Sequence, residues 1–227
     1  MGAAGEGERN GLPLSSSRVA TPRRRAASAR AGHAFDRDAQ REQKRRALLH
    51  EAARLINARG AGAVSLEDVG SGLSISKAAV YYYFRSKQDL LAECYSMSFD
   101  VWEGALDAAE AAGSTGAAKV ELFIRRYLAD GLSALQPMIL VREQEALQAP
   151  LRQRVEKRRK ALRNRLRGFI AQGVADGSFR PLDARVATTV IGAAISWLLR
   201  TYREDGPLSR EAFIESAVGL LLQGMRA

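Results

Sequence analysis

The sequence predicts an all-α chain of about nine helices, with a small N-terminal three-helix unit on a larger helical domain. Three observations predict it. Apolar residues recur at helical spacing along most of the chain. Ser65, Ser76 and Ser86 stand where helices would begin, two of them followed three residues later by an aspartate. Pro137, Pro150, Pro181 and Pro207 punctuate the spans between helices. No alternating strand pattern competes, and no internal repeat is present.

Residues 1–38 are rich in Gly, Ala, Ser and Arg without apolar periodicity, the composition of a disordered basic tail. Its Arg18, Arg23, Arg24, Arg25 and Arg30 are expected to be solvated, with nonspecific phosphate contact as the sharper alternative. From Asp38 the pattern turns helical. Leu48, Leu49, Ala52, Leu55 and Ile56 form the stripe, Arg41, Lys44, Arg45 and Arg46 crowd the front end, and Gly60 and Gly62 supply a stop. Ser65 with Asp68 opens the second helix, Ser76 the third, and Ser86 with Asp89 a longer fourth that runs towards Gly113. Further helices are expected at about Gly116–Leu135, Met138–Gln148, Leu151–Ala175, Asp183–Arg203 and Ser209–Met225.

Composition narrows the function. Of 227 residues, 46% are hydrophobic and 26% charged, as in a soluble globular protein. A net charge of +10 suits an anionic partner, either nucleic acid or an acidic membrane surface. Cys94 is the only cysteine, so no intrachain disulfide forms and a reducing compartment fits. The first residues carry no apolar leader, which makes the cytoplasm the expected location. The longest uncharged apolar run, Val186–Leu199, has 14 residues, short of the ~20 a spanning helix needs. Neither a metal, a cofactor nor an enzyme is expected: His33, His50 and Cys94 are scattered, and the glycine-rich start GAAGEGERNG lacks the Lys-Ser/Thr ending of a phosphate loop.

The stretch Ser65–Lys87, SLEDVGSGLSISKAAVYYYFRSK, reads as two short capped helices joined by a tight turn, with the motif proper at about 65–84. On a helical wheel Val80 and Phe84 fall together on the core side. Ala78 and Tyr82 lie opposite, with Ala79, Tyr81 and Tyr83 beside them. Three consecutive tyrosines cannot all face one core, because successive residues rotate around the helix. Small residues at the N-terminal end let the backbone approach base edges, and tyrosine hydroxyls can bond phosphates. Lys77, Arg85 and Lys87 would hold phosphates without reading sequence.

The residues Ser76, Lys77, Val80, Tyr81, Phe84, Ser86, Lys87 and Leu90 resemble the recognition-helix motif of the TetR family of bacterial transcriptional repressors, Ser-Lys-x-x-Leu/Val-Tyr-x-x-Phe followed by Ser-Lys-x-x-Leu. The resemblance implies a helix-turn-helix DNA-binding domain at 39–92 and a ligand-binding and dimerisation domain at 93–227. Carried onto this chain, the family's DNA-contacting positions are Ser65, Ser76, Lys77, Ala78, Ala79, Tyr81, Tyr82, Tyr83 and Lys87. Two departures stand out. Gly70 and Gly72 replace the usual alanines, at ~1 kcal/mol each in a helix interior. Ser74 occupies the turn position usually held by glycine, where a left-handed backbone would be mildly strained.

The resemblance also implies a homodimer on double-stranded operator DNA, paired through the last two long helices. The interface residues expected there are Val190, Ala194, Trp197, Phe213, Ala217, Leu220 and Leu221, with Gly192 and Gly219 permitting close approach. A small-molecule effector is implied, with Phe99, Trp102, Phe123, Tyr127, Met138 and Trp197 as candidate pocket residues. Leu151–Arg167 holds nine Lys or Arg against one acid, expected chiefly as a solvated face; contact with the phosphates of an acyl-CoA effector is the sharper alternative. Gly177-x-Phe179-Arg180, Trp197 and Gly206-Pro207-Leu208-Ser209 look similar to TetR-type regulators of fatty-acid and steroid breakdown. The competing reading is a nonspecific basic nucleic-acid-binding or membrane-surface protein without effector control.

Overall fold

The computed structural model describes residues 22–133, 138–139 and 146–226, with side chains from Asp38 onward. Eight helices are found among the described residues: α1 (Pro22–Arg59), α2 (Leu66–Gly72), α3 (Lys77–Tyr83), α4 (Lys87–Ala112), α5 (Gly116–Gly131), α6 (Ala149–Ala175), α7 (Ala184–Thr201) and α8 (Arg210–Gln223). No strand is present among them; a lone antiparallel bridge joins Phe179 to Arg226. The chain divides into two compact units, Met1–Gln43 and Lys44–Ala227. The candidate site lies wholly within the second.

One expectation is corrected, and another lies largely outside the described residues. The tail was expected to lack structure as far as residue 38, yet α1 starts at Pro22. Proline suits the first helical position, and the Ala- and Arg-rich sequence behind it has high helix propensity whether or not it buries anything. Residues 1–21 lie outside the described residues. The ninth helix, expected at Met138–Gln148, falls largely outside them too; residues 138–139 and 146–148 are described and are not helical.

The caps are where the local chemistry places them. Ser65, Ser76, Ser86 and Ser209 each accept the backbone N–H three residues on, and Asp183 accepts those of Arg185 and Val186. At Gly60, φ is 84°, and its N–H closes α1 on the Ile56 carbonyl at 2.8 Å. Leu48, Leu49, Ala52, Leu55 and Ile56 are all buried, which confirms the stripe of α1.

In the helical domain α5 packs against α4, α6, α7 and α8, burying Phe123, Ile124 and Leu128. Its start meets the end of α6 backbone to backbone, where a Cβ on Gly116 would collide with the backbone of Gly173, and a Cβ on Gly173 would collide with the Phe179 ring. The Asp176 carboxylate and the Ser178 hydroxyl accept the N–H groups of Gly116 and Ala117 at 2.8 and 3.1 Å, satisfying the otherwise open first turn of α5. The hydrogen bond from Ser178 holds the Asp176 carboxyl below its ordinary range, with those from the Gly116 and Ser178 amides adding to it.

Helices α4 and α6 are tied by an ionic ladder. Arg158 reaches Asp100 and Glu103 at 2.6 Å, and two turns on Arg165 reaches Asp107 and Glu110 at 2.7 and 2.8 Å. Part of the basic face of α6 is therefore structural rather than simply solvated.

Candidate functional site

Helices α2 and α3 form the bihelical unit the sequence promised. Asp68 N donates to Ser65 Oγ at 3.1 Å while Ser65 N donates back to Asp68 Oδ2 at 2.8 Å, a reciprocal capping box. The Ser65 hydroxyl also donates to Asp68 at 2.6 Å, and these bonds hold the Asp68 carboxyl below its ordinary range. At the turn Ser74 takes φ 56°, the left-handed conformation expected there. The Gly70 carbonyl accepts both Leu73 N and Ile75 N, at 3.1 and 2.9 Å. A Cβ on Gly70 would sit 2.8 Å from Ile75 O and from Val80 Cγ2, so α2 and α3 close on each other through this glycine. The helix loses propensity there and gains contact.

Val80 and Phe84 are sealed in the core, whereas Tyr82 is 66% and Tyr81 44% exposed. Ala78 is exposed; Ala79 and Tyr83 are half-buried. Tyr83 meets the Tyr82 ring edge-on, with centroids 5.2 Å apart, which limits the freedom of the outward ring. The outward face of α3 is thus small at its start and aromatic beyond. Ser76 is exposed and Ser65 half-buried, both engaged as caps.

The two lysines expected as phosphate clamps have partners. Lys77 pairs with Glu67 of α2, an interaction that holds its ammonium above its ordinary pKa, and lies 6.0 Å from the Tyr81 ring centroid. Lys87 donates to the Gly62 carbonyl at 2.8 Å, tying the start of α4 to the loop after α1. Nothing in the local pattern of either lysine signalled these bonds.

A cavity of about 130 Å³ opens in the helical domain. Phe99 and Trp102 from α4 and Phe123 and Tyr127 from α5 line it, four of the six residues expected. The rings of Phe123 and Tyr127 stack at 5.6 Å and 14°, and Trp102 lies 6.0 Å from Tyr127. Burial pushes the Tyr127 hydroxyl above its ordinary pKa. Two expected residues are elsewhere: Met138 is buried next to the lining residue Ile139, and Trp197 is exposed on α7. Sequence reasoning missed Arg159 and Arg163 of α6, and Ser98, Thr188, Thr189 and Ser196, all of which line the cavity.

On the last two helices Val186, Val190, Trp197 and Leu220 are exposed apolar side chains. Ala194, Phe213 and Leu221 are half-buried, while Ala217 is buried within the chain itself. Gly192 borders the cavity, and a Cβ at Gly192 or Gly219 would meet no atom within 4 Å. No helix among the described residues is long and apolar enough to cross a membrane.

A capped bihelical reader with an outward aromatic face, joined to a helical domain with a lined cavity, defines a helix-turn-helix regulator. Two family models agree with that class: bacterial regulatory proteins of the tetR family match residues 48–94, and the tetracyclin repressor-like C-terminal domain matches residues 113–225. The chain belongs to the TetR family of bacterial transcriptional regulators. It is similar to the HTH-type transcriptional repressor KstR2 of Mycolicibacterium smegmatis, 28% identical over 195 residues that cover 84% of this chain and 94% of that one. The structure of the ketosteroid transcriptional regulator KstR2 of Mycobacterium tuberculosis superposes with a TM-score of 0.72 at 22% identity, covering 81% of this chain and 95% of that one. AibR in complex with isovaleryl coenzyme A and operator DNA gives 0.67 at 22% identity, covering 78% and 96%.

Proposed function

We propose that the protein is a ligand-responsive transcriptional repressor, acting in the cytoplasm and without catalysis. Two copies bind a palindromic operator, each lodging α3 in the major groove, with the half-sites ~34–36 Å apart. Residues 39–92 read DNA; residues 93–227 hold the effector and pair the copies through α7 and α8. One observation carries this reading: Tyr81 and Tyr82 project from a short capped helix whose Val80 and Phe84 are sealed beneath.

Ala78 and Ala79 admit the backbone to base edges, and Tyr81, Tyr82 and Tyr83 contact phosphate, sugar or thymine. Ser65 and Ser76 fix the helix N-termini that face the backbone. Lys77 engages phosphate by leaving Glu67, and Lys87 holds the frame. The exposed Val190, Trp197 and Leu220, with Ala194, Phe213 and Leu221 at their margins, support pairing across a twofold axis. A lipophilic metabolite such as an acyl-CoA enters the cavity and shifts the spacing of the two heads. The likeness to AibR, which binds isovaleryl coenzyme A and operator DNA, supports that choice of effector.

The test compares binding to the gene's own upstream DNA with binding to random DNA over a salt series. Preference of about a thousandfold or more for the upstream sequence is expected. Equal affinity at every salt concentration would replace this reading with nonspecific charge-driven binding.

A further inference from the structure

The geometry points to Trp102 and Arg163 as the pair that selects the effector: the Trp102 indole N–H takes the carbonyl oxygen of a short or cyclic acyl group, and Arg163 takes the anionic end joined to it. The inference deepens the reading of this cavity as the effector site and rests on it.

The serine and threonine hydroxyls of the cavity are already engaged. Ser98, Thr188, Thr189 and Ser196 each donate to the carbonyl four residues back, at 2.6 to 2.9 Å. Ser98 Oγ also accepts Ile139 N at 2.8 Å. The Trp102 indole nitrogen differs. It is a donor and nothing else, it is buried, and no acceptor meets it among the described residues. A buried donor without a partner is costly, and an entering oxygen relieves it.

Charge fixes the sign of the ligand. Among the described residues no carboxylate lines the cavity, while Arg159 and Arg163 both do. On α6 the arginines are sorted by face: Arg158 and Arg165 are held by the carboxylates of α4, and Arg163 has no acidic partner among the described residues. An anion at Arg163 therefore displaces no ion pair among the described residues, whereas a cation there would meet the like charge of the guanidinium.

Volume and shape fix the buried part. A cavity near 150 Å³ takes a benzene-sized body, so about 130 Å³ accepts roughly one ring or a short branched chain. The stacked Phe123 and Tyr127, with Trp102 beside them, present an aromatic wall for it. A free acid and an acyl thioester with a phosphorylated carrier share this chemistry, and the probes separate them.

The protein carries two tryptophans, so indole-15N labelling gives two N–H resonances, assigned with Trp197→Phe. The probes are cyclohexanecarboxylate, cyclohexanecarbonyl-CoA, methylcyclohexane and cyclohexylmethylamine, without DNA. The expected result is a downfield shift of the Trp102 resonance with at least one of the first two, and none with the others. Whichever of the two shifts it identifies the source. Trp102→Phe, which keeps the ring and removes the N–H, should weaken the carbonyl-bearing probe about tenfold and leave methylcyclohexane unchanged. Arg163→Gln should weaken the anion about tenfold. Equal shifts with the hydrocarbon, amine binding as tight as anion binding, wild-type affinity in Trp102→Phe, or no binding of either acyl probe at millimolar concentration would each overturn the assignment. Repeating the titration on the operator complex isolates the functional reading: a shift without release of DNA leaves the site standing and removes its effector role.

Discussion

Asn57 of α1 donates its side-chain amide to the carbonyl of Met138 at 2.8 Å. The other half of that same peptide group, Ile139 N–H, donates to Ser98 Oγ at 2.8 Å. Ile139 and Ser98 both line the cavity. One planar peptide unit thus bridges the N-terminal helix and the cavity wall, and a planar unit cannot yield at one end without tilting at the other. Asn57→Ala is expected to cost about 0.5–1.5 kcal/mol of stability in urea. It should also shrink the ratio of operator affinities measured without and with effector. A variant that loses stability but keeps that ratio would show that coupling runs elsewhere.

The same substitution should have opposite signs at two glycines. At Gly104, mid-α4 and exposed, an added Cβ meets nothing within 4 Å, so Gly104→Ala should stabilise by about 0.5–1 kcal/mol through propensity alone. At Gly70 the Cβ would press on a backbone carbonyl and on Val80, so Gly70→Ala should destabilise by about 1–3 kcal/mol despite the better propensity. Urea midpoints read both, and stabilisation at Gly70 would remove the close-packing account of the turn.

Tyr82→Ala and Val80→Ala separate reading from folding. Tyr82 stands out from α3, so its loss should leave the unfolding transition unchanged and cost ~1–3 kcal/mol of operator affinity. Val80 lies beneath, and Val80→Ala should cost about 2 kcal/mol of stability. Full operator affinity in folded Tyr82→Ala would refute a contact role for that ring.

Caps and stripes were legible because their causes are local. Ser65 with Asp68, Ser76, Ser86 and the burial of Val80 and Phe84 all follow from spacing within a few residues. The partners of Lys77 and Lys87 were not, since Glu67 and Gly62 approach them only once the turns are folded. Gly70 read as a weakness in α2 because propensity is local and the approach of Val80 is tertiary. The cavity was half legible. Its aromatic wall was named, but Arg159 and Arg163 were counted with the solvated charges of α6. Their positions held a signal, however: Arg159 is four residues past Val155, and Arg163 three before Leu166, so both border the buried stripe.

Cys94 gives an alkaline signature. Its thiol is buried 4.0 Å from the Leu49 carbonyl oxygen, and burial, with the nearby charge of Glu93, pushes its pKa up to about 12 from an ordinary 9.0. Between those values the unfolded chain releases the proton and the folded chain keeps it. The native state then binds more protons, and stability falls as pH rises. Urea midpoints should decline from about pH 9 upwards, and Cys94→Ala should lack that part of the decline. A thiol reagent should react only on unfolding; rapid labelling of the native protein would contradict the burial.

The apolar side chains left uncovered on the last two helices predict an oligomeric state. Trp197 is 64% and Leu220 77% exposed, and Val186 and Val190 continue the stripe of α7 at helical spacing. Such exposed apolar side chains are costly in water unless a partner covers them. A charge placed there would be stranded in the interface, so Leu220→Glu should convert a dimer to a monomer in sedimentation while leaving helical content intact, because Leu220 supports no core of its own. Operator affinity should fall far more than for any single contact on α3, since each monomer retains one reading head and loses the second half-site. A Leu220→Glu protein that still sediments as a dimer would locate the interface on another face of the helical domain.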